Sequence, residues 1–353
     1  MGKMISGIQQ VGIGIPDVHE AWKWYRINLG MDVPIFEEAA TAALMLPYTG
    51  GEPHDRHAIL AVNMQGGGGF EIWQYTSRTP QPAKFKVKLG DLGINVCKIK
   101  SRDVYASFQF LKPKGCVLSE QVQEDKLGRK FFFLNDPYGN LFQVVEFDSF
   151  FMSSKAYTGG VCGVSIGVSD IDKSLKLYRD VLGYDVVLFD ESGIFCNMNE
   201  INPDGSSFRR VLLRHSRERV GGFSRLLGPT EIELIQNLDS KPNVIFKDRY
   251  WGDLGFIHLC FDVTDMAGLK ENCEKAGFPF TVDSSQSFDM GEAAGHFTYI
   301  EDPDGTLIEF VETHKIPIMK KLGWYLNMKK RKASKPLPNW MLGALALNRK
   351  KDK

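Results

Sequence analysis

Two apolar segments of this chain each carry one polar residue whose type and placement could do chemistry. In GFIHLCFDV, residues 255–263, alternation puts Ile257, Leu259, Phe261 and Val263 on one face and Phe256, His258 and Cys260 on the other. In TLIEFV, residues 306–311, Ile308 and Phe310 share a face and Glu309 takes the opposite one. A carboxylate turned into an apolar interior is costly unless it is paired or bound to a cation. A metal shared by Glu309 and His258 would resolve that cost. Tyr299, three residues before Asp302, and the nearby His296 are candidate acids or bases. His54 and His57 sit beside Gly and Pro and read as solvated loop histidines.

The elements that must position these residues occur in repeated form. DVHEAWKWYRINLGMDV at residues 17–33 returns as DIDKSLKLYRDVLGYDV at residues 170–186. Gly90-Asp91-Leu92-Gly93 returns as Gly252-Asp253-Leu254-Gly255, and the Asp136-Pro137 turn returns as Asp302-Pro303. The order is A-B-A′-B′, and 353 residues suit two domains of roughly 150 each. In unit A a strand near residues 7–15 leads to Asp17, a helix N-cap. Val18, Ala21, Trp22, Tyr25 and Leu29 then recur at helical spacing, and Gly30 stops the helix. Strands follow near residues 41–47, 58–63 and 69–75. Unit B repeats this order, with a strand near 93–99, a helix near 103–112 and strands through 130–134 and 141–145. A βαβββ unit cannot close its own sheet, so two pair and curl their strands around a shared cleft, helices outside.

This pattern resembles the vicinal oxygen chelate superfamily, which includes glyoxalase I, methylmalonyl-CoA epimerase, extradiol dioxygenases and bleomycin- or fosfomycin-resistance proteins. The resemblance rests on Val164-Ser165-Ile166-Gly167-Val168-Ser169-Asp170, on Tyr178 and Leu182-Gly183, and on the two Asp-Pro-x-Gly turns, and it covers about residues 6–314. It implies an α+β fold of four tandem βαβββ units paired into two half-barrel domains, residues 6–149 and 157–314, with a basic tail at 315–353. It also places metal ligands on the first and last strands of each paired unit. With neighbouring units paired, the second half offers Gly163, Glu233, His258 and Glu309, so one divalent Fe, Mn, Ni, Co or Zn is expected on His258, Glu309 and Glu233. Gly163 departs from the pattern, since extradiol enzymes use His there and glyoxalase I uses His or Gln. The first half offers Gln10, Glu71, Asn95 and Gln143, a poor divalent site. The implied chemistry is isomerase, epimerase or lyase action on a small oxygen-rich metabolite through a metal-stabilised enediolate, with Glu233 able to leave the metal and serve as base. Rival expectations are an Fe(II) ring-cleaving dioxygenase and a metal-free binding or resistance protein.

Bulk properties frame the remaining expectations. No apolar run reaches the roughly 20 residues that span a bilayer. The six cysteines lack a CxxC spacing, and no secretory leader is evident, so a cytoplasmic protein with reduced thiols is expected. Residues 315–353 hold 12 of the 43 Lys+Arg and one acid, Asp352, against a more acidic body. Such a tail suits an anionic membrane surface, an acidic partner or, most simply, the chain's own body. No nucleic-acid motif accompanies it. The expected partner is a small-molecule substrate, and the chain is expected to act as a monomer or homodimer.

Overall fold

The computed structural model describes residues 4–284, 288–289, 294–319, 324–328 and 331–352. Unit 1 comprises β1 (Met4–Gly14), α1 (Val18–Leu29), β2 (Val33–Thr41), β3 (Asp55–Val62) and β4 (Gly69–Tyr75). Unit 2 comprises β5 (Gly93–Ser101), α2 (Val104–Leu111), β6 (Gln123–Glu124), β7 (Lys130–Asn135) and β8 (Leu141–Glu146). Unit 3 comprises β9 (Val161–Gly167), α3 (Ile171–Leu175), β10 (Val186–Gly193), β11 (Phe208–Arg214), α4 (Ser224–Leu227) and β12 (Glu231–Asn237). Unit 4 comprises β13 (Gly255–Thr264), α5 (Met266–Ala276), β14 (Val282–Asp283), β15 (Phe288–Asp289), β16 (Ala294–Glu301) and β17 (Leu307–Met319). β18 (Trp324–Asn327) and α6 (Asn339–Gly343) follow.

The helix ends obey the chemistry of the sequence. The Asp17 carboxylate accepts from the His19 and Glu20 amides at 2.9 Å, satisfying donors that the first turn of α1 leaves unpaired. Gly30 closes α1 in the left-handed conformation at φ 64°. Val18, Ala21, Trp22, Tyr25 and Leu29 are all buried on the core side.

The sheets form an α+β fold of two half-barrels, but the units pair in an order the repeat does not announce. A ten-stranded sheet runs β14-β16-β17-β13-β1-β4-β3-β2, joining unit 4 to unit 1, with β15 and β18 attached at β16 and β17. An eight-stranded sheet runs β10-β11-β12-β9-β5-β8-β7-β6, joining unit 3 to unit 2. The seams are the antiparallel pairs β1–β13 and β5–β9. The expected pairing of neighbouring units within residues 6–149 and 157–314 is therefore corrected. Each half of the sequence contributes one unit to each sheet, because either pairing satisfies the same alternation of inward and outward residues.

The two units of each sequence half, though placed in different sheets, remain in contact through their helical segments. Tyr25 of α1 donates to the Asp136 carboxylate of unit 2 at 2.6 Å, and Tyr178 of unit 3 donates to Asp302 of unit 4 at 2.9 Å. One continuous apolar cluster, including Ile13, Phe70, Phe142, Val164, Leu234 and Phe261, contains residues of all four units.

Two smaller expectations also change. The strand expected near 41–47 begins earlier, as β2. It carries Pro34 and forms the edge of the ten-stranded sheet, where a missing N–H does least harm. Residues 315–319 extend β17, so the segment beyond 314 starts as sheet. Farther on, Leu337, Leu342 and Leu345 are buried in a cluster with Val33, Val62 and Met64. Arg349 pairs with Asp32 at 2.9 Å, and Arg26 with Asp352, so the tail's charged end lies on the chain's own surface. No helix among the described residues is long and apolar enough to cross a membrane.

Candidate metal centre

Four central strands of the ten-stranded sheet each bring one polar side chain to the same place. Gln10 comes from β1, Glu71 from β4, His258 from β13 and Glu309 from β17, and all four are buried. The register supports this convergence: Gly12 stands beside both Glu71 and His258, and Cys260 stands beside both Gln10 and Glu309. His258 Nε2 lies 3.2 Å from Glu71 Oε2 and 3.1 Å from Glu309 Oε2. Gln10 Nε2 donates to the same two oxygens at 3.1 and 3.3 Å. Ligand atoms of Glu71, His258 and Glu309 all lie within 4.8 Å of one another.

The electrostatics suit a cation. Burial alone would drive the His258 pKa down, yet Glu309 and Glu71 outweigh it and raise it to about 9. Burial would push Glu309 up, but His258 holds it below the ordinary carboxylate range. Protonated, His258 places one positive charge beside the two buried carboxyl groups. Its contacts are close but poorly directed, since neither ring nitrogen of His258 makes a well-formed hydrogen bond. Gln10 Oε1 is also buried without a partner. One imidazole and two carboxylates form a donor set that fits a divalent ion of borderline character, and Gln10 adds an amide oxygen if its side-chain amide turns over.

Small and aromatic neighbours hold the imidazole in place. An ideal Cβ on Gly12 would fall 2.7 Å from His258 Nδ1 and 2.8 Å from Nε2, so the ring occupies space that only glycine leaves. Trp251 lies parallel to the imidazole at 6.1 Å and Tyr299 meets it edge-on at 5.6 Å. Tyr299 is buried, and desolvation together with Glu309 and Glu71 keeps its phenol protonated, which makes it a donor facing the cleft.

Glu233, expected as a third ligand and base, belongs to the other half-barrel and is corrected. Its carboxylate receives Lys98 Nζ at 2.6 Å, Ser165 Oγ at 2.7 Å and Arg210 Nε at 2.8 Å, with a further contact from Arg210 Nη2. Burial opposes its ionisation, but Arg210 and Lys98 outweigh burial and hold its pKa far below the usual range. Two side-chain cations thus supply the charge that a metal would bring. The matching Gly163 position has no room for a ligand, because a Cβ there would strike the Glu231 carbonyl. Asn95 is spent on the backbone, accepting from Gly90 N and donating to Asp91 O, each at 2.7 Å. Phe131, Phe133, Met198 and Phe208 pack into a buried cluster of this barrel.

His296, the other candidate acid or base, turns to the opposite face of β16 from Tyr299, where Nε2 lies 2.7 Å from Asp283 Oδ1. His57 is on β3, not in a loop, with Nε2 3.3 Å from Glu37 Oε1, and His19 lies 3.8 Å from the same oxygen. That outer group is largely solvent-exposed, whereas Gln10, Glu71 and Glu309 open onto a cavity of about 340 Å³. Gln10, Glu71, Gly12 and Trp251 surround this candidate centre without having been expected in it. For Gln10 and Glu71 the signal was present, since both occupy ligand positions of the repeat.

The sequence matches the family described as Glyoxalase/Bleomycin resistance protein/Dioxygenase superfamily over residues 7–144 and 161–310. Among solved structures, a glyoxalase I variant from Zea mays is similar at 16% identity and TM-score 0.56, covering 88% of this chain and 92% of that one. The Zea mays glyoxalase I itself gives 15% identity and TM-score 0.54 with the same coverage. A putative dioxygenase from Bacillus subtilis gives 13% identity and TM-score 0.56, covering 88% and 86%. No curated protein sequence matches this chain. At these identities the structures speak for the fold alone, and the family match spans most of the chain. The chain therefore belongs to the Glyoxalase/Bleomycin resistance protein/Dioxygenase superfamily.

Proposed function

We propose that this protein is a divalent-metal-dependent isomerase or lyase of the glyoxalase type, with a single centre formed by Gln10, Glu71, His258 and Glu309. The observation that carries this reading is the convergence of two buried carboxylate oxygens on one imidazole nitrogen, 3.1 and 3.2 Å away, at the wall of a cavity. When bound, a divalent ion there supplies Lewis-acid stabilisation of negative charge developing on adjacent substrate oxygens. The chain's own residues do the rest. Glu71 or Glu309, in the role first expected of Glu233, takes a proton from the hydroxyl-bearing carbon and returns it to the neighbouring carbonyl carbon while the hydroxyl proton passes to the former carbonyl oxygen, so the net change is an isomerisation. The phenol of Tyr299 donates toward the same wall. Apolar side chains around the cavity lower the polarity of the surroundings in which the proton moves. A donor set with one histidine differs from the two-histidine, one-carboxylate triad of non-haem Fe(II) oxygenases, which favours proton transfer over ring cleavage.

The test measures metal content and hydrogen exchange together. Protein loaded with Mn, Fe, Co, Ni or Zn is expected to wash the carbon-bound hydrogen out of an α-hydroxyketone in D₂O without consuming oxygen. Absence of metal binding, or oxygen uptake with catechol, would overturn the reading.

A further inference from the structure

Resting on that reading, we infer that the substrate is an uncharged, largely apolar molecule, of about the bulk of one or two aromatic rings, carrying two adjacent oxygens at one end. The cavity presents its polar end at Gln10, Glu71 and Glu309, and its body is walled by Phe36, Leu60, Trp73, Trp251, Phe297 and Leu345. Its volume of about 340 Å³ lies at the small end of the range for ligand pockets, roughly 300–1,000 Å³. Leu345 comes from the C-terminal segment. With Leu337 and Leu342 anchored beside Val33, Val62 and Met64, that segment adds an apolar wall where a charged conjugate would need solvent.

The charge inventory excludes an anionic body. Among the described residues that line the cavity, Arg56 is the one fixed cation, and it is already engaged: Nη2 lies 2.7 Å from Glu38 Oε2 and Nη1 donates to the Glu38 carbonyl at 3.0 Å. At the other end, Glu71 and Glu309 balance a divalent ion and leave no surplus positive charge. A carboxylate-bearing thiol or phosphate-bearing carrier attached to the substrate would bury its charges uncompensated, whereas an aromatic or aliphatic body gains from contact with the walls.

The experiment is calorimetric titration of the full chain, with and without Mn²⁺, using three probes. 2-Hydroxyacetophenone is neutral with adjacent oxygens, acetophenone lacks the second oxygen, and S-lactoylglutathione has adjacent oxygens on a charged body. The expected result is at least tenfold tighter binding of 2-hydroxyacetophenone than of S-lactoylglutathione, with only 2-hydroxyacetophenone gaining affinity over acetophenone when Mn²⁺ is present. Glu38→Gln, which releases Arg56, is expected to strengthen S-lactoylglutathione binding several-fold and leave 2-hydroxyacetophenone unchanged. Equal or tighter binding of S-lactoylglutathione by the unaltered chain, or no gain in Glu38→Gln, would overturn the inference. Failure of the metal reading is seen separately: if Mn²⁺ alters no titration, the centre is misassigned, while the ranking of acetophenone against S-lactoylglutathione in metal-free protein still decides the cavity's preference.

Discussion

Glu71→Gln and Glu233→Gln separate two carboxylates that occupy equivalent positions in the repeat and play opposite parts in the structure. Glu71 has His258 Nε2 at 3.2 Å and, among the described residues, no Lys or Arg ion pair, whereas Glu233 is held by Lys98 and Arg210. An ion present at 100 times its dissociation constant stabilises the folded state by about 2.7 kcal/mol. For 353 residues an unfolding entropy near 2.1 cal/mol/K per residue converts this to a rise of about 4 K in melting temperature. Losing even an outer-shell partner of a metal costs about 10–100-fold in affinity, so losing the Glu71 carboxylate should cost about 100-fold or more. At the same metal concentration the stabilisation then falls to about 0.4 kcal/mol, a rise of under about 1 K. Glu233→Gln behaves the other way. It strands two buried cations, at a cost of about 3–5 kcal/mol, so the metal-free melting temperature drops by about 4–7 K while the rise on adding metal stays near 4 K. Thermal melts of the three proteins across a metal series read both quantities. A Glu71→Gln protein that keeps the full metal response, or a Glu233→Gln protein that loses it, would refute the reasoning.

Three further outcomes follow from the geometry. Gly12→Ala places a Cβ in the space of the His258 ring, so metal affinity measured by competitive chelation should fall by about 100-fold or more; unchanged affinity would show that the ring can move without cost. Burial raises the Asp262 carboxyl from 3.8 to about 7, so its contribution to folding is fully present below pH 3.8 and is lost as pH rises through 7. Asp262→Asn should therefore melt near the unaltered chain at pH 4 and above it at pH 8, by up to about 4 kcal/mol of stability, and equal curves at both pH values would contradict this. Tyr178→Phe removes the 2.9 Å bond to buried Asp302 and should lower stability by about 1–3 kcal/mol in urea titration; no shift in midpoint would deny the tyrosine a role in joining units 3 and 4.

Much of this architecture was legible because it is written in local chemistry. Asp17 and Gly30 mark the ends of α1, alternation around His258 and Glu309 assigns their faces, and the repeated Tyr and Asp-Pro motifs meet as Tyr25–Asp136 and Tyr178–Asp302. What alternation does not encode is which strand edge meets which. The inward residues of β1 and β9 read alike whether unit 1 joins unit 2 or unit 4, and that single choice moved Glu233 out of the site and Gln10 and Glu71 into it. Lys98 and Arg210 were illegible for a related reason. Their charges matter only because β5 and β11 lie in the same sheet as β12, bringing them from 135 and 23 residues away in sequence to Glu233. Gly163 misled in the same way: it looked like a lost ligand, whereas the matching position in the sheet that holds His258 is Gln10, whose amide reaches Glu71 and Glu309.

The central claim is that one metal site is assembled between the first and fourth units. Its most direct test is anomalous diffraction from crystals of the full chain soaked in Mn²⁺ or Zn²⁺. The strongest peak is expected among Gln10, Glu71, His258 and Glu309, with none at Glu233. A cleft that stays empty at saturating metal, or a peak beside Glu233 in the second half-barrel, would contradict it.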